Sequence, residues 1–82
     1  MQRFIVTGGL GFIGSNLIEL LLSKNFKVIN IDKVSYASNF YNTKKFTKNK
    51  NYTFIKTDIA NKKKILKILN KYKPNGIFNL AA

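Results

Sequence analysis

The sequence predicts an α/β fold: a doubly wound parallel sheet, partial, of about four strands in the order 3-2-1-4 with helices on both faces. Three observations predict it. Short apolar runs recur at residues 3–7, 27–31, 52–56 and 77–80. Segments with helical spacing lie between the first and second runs and between the third and fourth. Four of the five glycines crowd into residues 8–14, where the first run hands over to the first helical segment.

Arg3-Phe4-Ile5-Val6-Thr7 reads as the first, buried strand. The turn after it fits two spacings, Gly9-x-Gly11-x-x-Gly14 and Gly8-x-x-Gly11-x-x-Gly14. A chain that reverses from strand to helix this quickly needs backbone angles that glycine adopts at little cost. Gly11 would let the main chain approach a diphosphate with no Cβ in the way, and Gly14 would let the helix pack close to the first strand. The N–H groups and positive dipole end of that helix then face an anion.

The first helix runs over residues 12–24, with Leu17, Ile18, Leu20, Leu21 and Leu22 as a wide apolar face and Lys24-Asn25 as its stop. Lys27 to Ile31 is the second strand and ends at Asp32. Asp32 stands 18 residues past Gly14, where a carboxylate accepts hydrogen bonds from an adenosine ribose. It also repels a 2′-phosphate and so argues for NAD over NADP, although Lys33 beside it weakens that exclusion. Residues 34–51 lack clean periodicity, and a partly helical excursion over 39–48 is the expectation there. Tyr52 to Lys56 is the third strand, followed by Thr57-Asp58-Ile59. A polar side chain at this strand end can reach an adenine edge, and Ile59 can pack on its face.

Asn61 is a fair N-cap for a second helix, with Ile65, Leu66, Ile68, Leu69 and Tyr72 on one side. Lys62, Lys63 and Lys64 crowd its first turn against the dipole, at a small cost. Lys73 to Gly76 closes that helix, and Ile77 to Leu80 is the fourth strand. Small residues follow at Ala81 and Ala82, which leaves room for a nicotinamide ring beside the first strand. The fourth strand would leave an open apolar edge that a complete domain covers. Residues 1–82 are therefore expected to form one incomplete domain, the first half of something larger.

Composition narrows the function classes. There is no cysteine and no histidine, which removes disulfides, thiolate metal sites and the commonest general base; no metal site is expected. The first strand begins at once, with no span long enough for a membrane, so a soluble, cytoplasmic-type chain is expected. The net charge of +12 invites a nucleic-acid reading. No nucleic-acid motif accompanies the lysines, which scatter over every expected surface, so a solvated basic surface is the preferred account.

Thr7-Gly8-Gly9-Leu10-Gly11-Phe12-Ile13-Gly14-Ser15-Asn16 resembles the opening motif of extended short-chain dehydrogenases/reductases that act on nucleotide sugars. Asp32-Lys33-Val34-Ser35-Tyr36-Ala37-Ser38-Asn39 is more pointed: it resembles the second-strand motif of the dTDP-glucose 4,6-dehydratase family, with Ser38 where that family usually has glycine. The stretches 52–59 and 73–82 match in order and spacing, so the resemblance covers the whole chain. It implies a Rossmann-type NAD(P)-binding domain with NAD as cofactor. Gly8, Gly11, Phe12, Ile13 and Gly14 fall at the pyrophosphate turn, and Asp32, Lys33, Val34 and Ser35 around the adenosine ribose. Asp58 and Ile59 fall at the adenine, and Leu80, Ala81 and Ala82 along the inner cofactor. The family oxidises a nucleotide sugar at C4, eliminates water across C5 and C6 and returns the hydride to C6. Its members are usually homodimers. Its catalytic Tyr-x-x-x-Lys pair, threonine and Asp-Glu acids match nothing within residues 1–82, so no catalytic residue is assigned here.

Two pairs imitate that catalytic spacing, Tyr41/Lys45 and Tyr52/Lys56. The true pair needs a helix, where i and i+4 sit about 6 Å apart. Tyr52 and Lys56 lie on an expected strand, where four steps span roughly 13 Å. The readings left open are a fragment of another nucleotide-sugar epimerase or dehydratase, a non-catalytic dinucleotide-binding module, and a basic nucleic-acid binder.

Overall fold

The computed structural model describes residues 1–34 and 37–80, with backbone alone for 37–41. The expectations placed on Ser35, Tyr36, Ala81 and Ala82 lie outside the described residues. Strands β1 (Arg3–Thr7), β2 (Lys27–Asp32), β3 (Tyr52–Lys56) and β4 (Gly76–Asn79) form one sheet in the order β3-β2-β1-β4. Every neighbouring pair is parallel, as expected.

Successive strand residues point to opposite faces of the sheet, so adjacent residues divide between its two sides. Val6 and Val28 pack with Ile18, Leu21 and Leu22 of helix α1 (Phe12–Ser23) on one side. Ile5, Ile29 and Ile31 pack with Ile68 of helix α2 (Lys62–Tyr72) on the other. A side chain as fully buried as Ile18 or Ile29 contributes about 1.5–3 kcal/mol of transfer free energy. Cover on both faces is why these strands read as continuous apolar runs.

Both helices end as their sequences foretell. Lys24 is the C-cap of α1, and Asn25 follows in the left-handed region, φ 63°, its amide donating to the Leu22 carbonyl. At the start of α2 the Asn61 side chain accepts the Lys64 amide at 3.2 Å, and its first turn carries no acid to offset the three lysines. The far end of α2 is held by a residue the sequence did not single out. Arg3 donates from Nε to the Tyr72 carbonyl at 2.7 Å and from Nη2 to that of Lys73 at 3.3 Å. A cation thereby satisfies two orphan carbonyls at the negative pole of the helix.

Three expectations are corrected. Leu20 and Leu66 were assigned to apolar faces but are 52% and 59% exposed, because each lies one step round its helix from the buried stripe. Strand β4 starts one residue early, at Gly76, and ends at Asn79. The Asn75 amide donates to the Arg3 carbonyl while Arg3 donates back to Asn75 Oδ1, which registers β4 against the start of β1. The excursion expected at 39–48 is a 3₁₀ segment, Ala37–Phe46, that packs Phe46 beside α1 and pairs Lys45 with Glu19.

Candidate functional site

The site grows out of the turn between β1 and α1. Gly8 has φ 74°, and its amide still donates to the Ile31 carbonyl at 2.9 Å, so the β1–β2 ladder extends one residue past the strand. The other three glycines of the turn differ in what they must clear. A Cβ on Gly9 would sit 2.3 Å from Asn30 Oδ1, and one on Gly14 would sit 2.6 Å from the Gly8 carbonyl oxygen and 2.7 Å from Gly9 Cα. At Gly14 the helix closes against the turn itself, while Ile18, Leu21 and Leu22 further along pack on Val6 of the first strand, as the sequence suggested. A Cβ on Gly11 would meet only the Gly8 oxygen, at an ordinary 3.7 Å. Among the described residues no atom requires glycine at 11; the space beside it opens to a groove.

That groove is lined by Gly8, Gly11, Phe12, Ile13, Gly14 and Leu80, and holds about 440 Å³. Phe12 and Ile13 are 74% and 73% exposed there. Gly11 is the N-cap of α1 and has no side chain to cap with; the first intrahelical bond runs from the Ser15 amide to the Gly11 carbonyl. Among the described residues no group accepts the amides of Phe12, Ile13 or Gly14. Three unpartnered donors at the positive end of a helix, next to a position with room for a ligand atom, suit a diphosphate. The residues present thus fit a dinucleotide by their own geometry.

Asp32, at the tip of β2, faces this turn. Its Oδ2 accepts the Leu10 amide at 3.3 Å and its Oδ1 accepts the Val34 amide at 2.9 Å. An ionised carboxylate has about four acceptor sites, so two remain for hydroxyl donors. Val34 takes φ 56°, rare for a β-branched residue, and Lys33 between them is exposed.

Asp58 and Ile59 stand apart from the groove, past the tip of β3. The Asp58 carboxylate accepts the Ala60 amide at 2.9 Å, and Ile59 packs toward α2, lining an apolar recess with Ile65, Leu69 and Ile77. The imitation pair Tyr52/Lys56 lies on β3, and the Tyr52 hydroxyl accepts from Asn30 Nδ2 at 3.1 Å, so it is structural. Among the described residues no group of three or more acidic, histidine or cysteine side chains stands close enough to hold a metal, and no helix is long and apolar enough to cross a membrane.

Two residues of the turn's support were missed. Asn30 is fully buried in β2 and accepts the Gly9 amide at 3.0 Å. Asn42, on the 3₁₀ segment, donates to the Leu10 carbonyl at 3.2 Å. Asn30 had a signal, a lone amide in an otherwise apolar run; Asn42 had none.

Strand order, glycine turn and strand-tip carboxylate define the class, a Rossmann-type fold of the short-chain dehydrogenase/reductase kind. The chain belongs to the GDP-mannose 4,6 dehydratase family, whose family model matches residues 5–82. It is 43% identical over 84 residues to dTDP-glucose 4,6-dehydratase of Haemophilus influenzae, covering 100% of this chain and 25% of that enzyme. The crystal structure of dTDP-glucose 4,6-dehydratase from Bacillus anthracis in complex with NAD superposes with a TM-score of 0.93 at 34% identity, over 100% of this chain and 27% of that one. A UDP-glucose 4-epimerase from Thermotoga maritima, solved with UDP-glucose, gives 0.80 at 30% identity, over 99% and 24%. The chain thus spans about a quarter of the length of the relatives it matches.

Proposed function

We propose that this chain is the NAD-binding amino-terminal portion of a nucleotide-sugar 4,6-dehydratase of the dTDP-glucose type, an incomplete Rossmann domain that carries cofactor recognition and none of the dehydratase's catalytic groups. One observation carries the reading: unpartnered amides at Phe12, Ile13 and Gly14 open on a groove beside Gly11, with the Asp32 carboxylate aimed at the same turn.

In this reading the amides of residues 12–14 hold the diphosphate, and Asp32 holds the adenosine ribose with Lys33, Val34 and Ser35 around it. Asp58 and Ile59 border the adenine, and Leu80, Ala81 and Ala82 line the inner cofactor. NAD, when bound, supplies hydride acceptance and return; this chain's residues bind it, orient it and favour it over the 2′-phosphorylated form. A dTDP-linked hexose as substrate, a homodimeric full-length enzyme and a cytoplasmic location belong to the same reading. The dehydratase is preferred to an epimerase by the closer superposition, 0.93 against 0.80.

The test is isothermal titration of NAD into the chain and its Asp32→Ala variant, with circular dichroism to show that both are folded. Saturable binding that weakens at least tenfold on substitution is expected, since a hydrogen bond to a charged group is worth about 1.5–3 kcal/mol. A folded chain that binds no NAD overturns the reading.

A further inference from the structure

We infer that Asn30 is a positioning residue for the diphosphate: its buried side chain fixes the peptide of Gly9 and so sets the direction of the helix-end amides that follow. The inference rests on the dinucleotide reading above and deepens it.

Asn30 is 0% exposed in the middle of β2, in register with Val6 on β1 and Phe54 on β3. A strand covered on both faces has little use for an amide, and burying one without partners costs about 1–3 kcal/mol. Here both ends are engaged: Oδ1 accepts the Gly9 amide at 3.0 Å, and Nδ2 donates to the Tyr52 hydroxyl at 3.1 Å. A backbone amide can only donate, so Gly9 selects the oxygen end of Asn30 and the nitrogen is left for Tyr52. The Tyr52 ring in turn packs on Phe46 of the 3₁₀ segment, centroids 5.8 Å apart. Asn42 of that same segment returns to the Leu10 carbonyl.

Two consecutive residues of the turn are thus tied at three backbone groups: the Gly9 amide by Asn30, the Leu10 amide by Asp32 and the Leu10 carbonyl by Asn42. The amides of Phe12, Ile13 and Gly14 begin just one residue further on, past Gly11. Asn30 is enclosed, so its influence on the groove is indirect and passes through the Gly9 amide that it holds. That separates it from Asp32, which faces both the turn and the ribose position. Loss of Asn30 should therefore weaken ligands that carry a diphosphate and spare adenosine.

The experiment titrates ADP and adenosine separately into the chain, Asn30→Leu and Tyr52→Phe, with folding followed by circular dichroism. Asn30→Leu keeps the size and removes the acceptor; ADP affinity is expected to fall about tenfold with adenosine unchanged, the loss of roughly one buried hydrogen bond's positioning. Tyr52→Phe removes only the hydroxyl that steadies the Asn30 amide, and a drop of about threefold, again for ADP alone, is expected from it. If Asn30→Leu does not fold, Tyr52→Phe decides. Unchanged ADP affinity, or equal losses for ADP and adenosine, overturns the inference, because a purely structural role moves both ligands together. An unsubstituted chain that binds neither ligand overturns the dinucleotide reading instead, and this inference with it.

Discussion

The carboxylate of Asp32 reaches across from the tip of β2 to the glycine turn, where its Oδ2 accepts the amide of Leu10 at 3.3 Å. One side chain therefore braces two backbone segments, the glycine turn at Leu10 and its own strand end at Val34, and in the proposed reading its remaining acceptor sites would serve the ribose. Asp32→Asn acts mainly on the charge. The negative charge that would repel a 2′-phosphate is gone, with Lys33 adjacent, while the single amide oxygen can still accept one of the two N–H groups, Leu10 or Val34, that the carboxylate accepts. Titration of NAD and NADP into this variant should show the preference for NAD shrinking by about tenfold or more, roughly 1.4 kcal/mol.

Gly11 and Gly14 should respond in opposite ways to alanine. At Gly14 the added methyl would meet the Gly8 oxygen at 2.6 Å and Gly9 Cα at 2.7 Å, both backbone atoms that cannot step aside. Gly14→Ala should cost about 1–3 kcal/mol in urea unfolding. At Gly11, with φ −71° and no close neighbour, alanine should leave stability within about 0.5 kcal/mol. NAD affinity should nevertheless fall, because the methyl projects into the groove. Equal effects on stability at the two positions would mean that the groove beside Gly11 is filled by protein.

Val34 holds a left-handed backbone that costs a non-glycine residue about 1–2 kcal/mol, and Asp32 Oδ1 accepts its amide there. Val34→Gly removes that strain, partly offset by the freedom glycine gains in the unfolded chain. A net gain of up to about 1 kcal/mol in the unfolding free energy is expected. A loss would show that packing of the valine side chain outweighs its backbone.

Arg3→Ala should destabilise the chain by about 1–3 kcal/mol, since two carbonyls at the end of α2 lose a charged donor. Arg3→Lys should recover only part, because an ammonium lacks the planar fork that spans Tyr72 and Lys73. Thermal unfolding of the three proteins side by side checks the order.

How far the sequence was legible follows from what each residue's role depends on. Strands, helices, caps and the strand order were readable because each leaves a local trace: β-branched runs, glycine at a reversal, Asn61 three residues before the amide it accepts. Leu20 and Leu66 misled because leucine fills either flank of a helix without altering its period. The 3₁₀ segment has no periodic trace, and its seat beside α1 depends on Phe46 and on the Glu19–Lys45 pair, which join parts of the chain far apart in sequence. Arg3 and Asn42 act on main-chain atoms more than thirty residues away, so nothing near them in sequence announces the task. At the site, the motif indicated which residues cluster, whereas the difference between Gly11 and Gly14 appeared only once their neighbours had positions.

The most direct test of the central claim is a titration of NAD into isotopically labelled chain, followed by amide chemical shifts. The account predicts saturable shifts concentrated at Gly11, Phe12, Ile13 and Gly14 and around Asp32, with the midpoint moved to about tenfold or more higher NAD in Asp32→Ala. A folded chain whose amides at 11–14 stay unmoved at saturating NAD, or whose shifts gather on the lysine-rich face of α2, would contradict it.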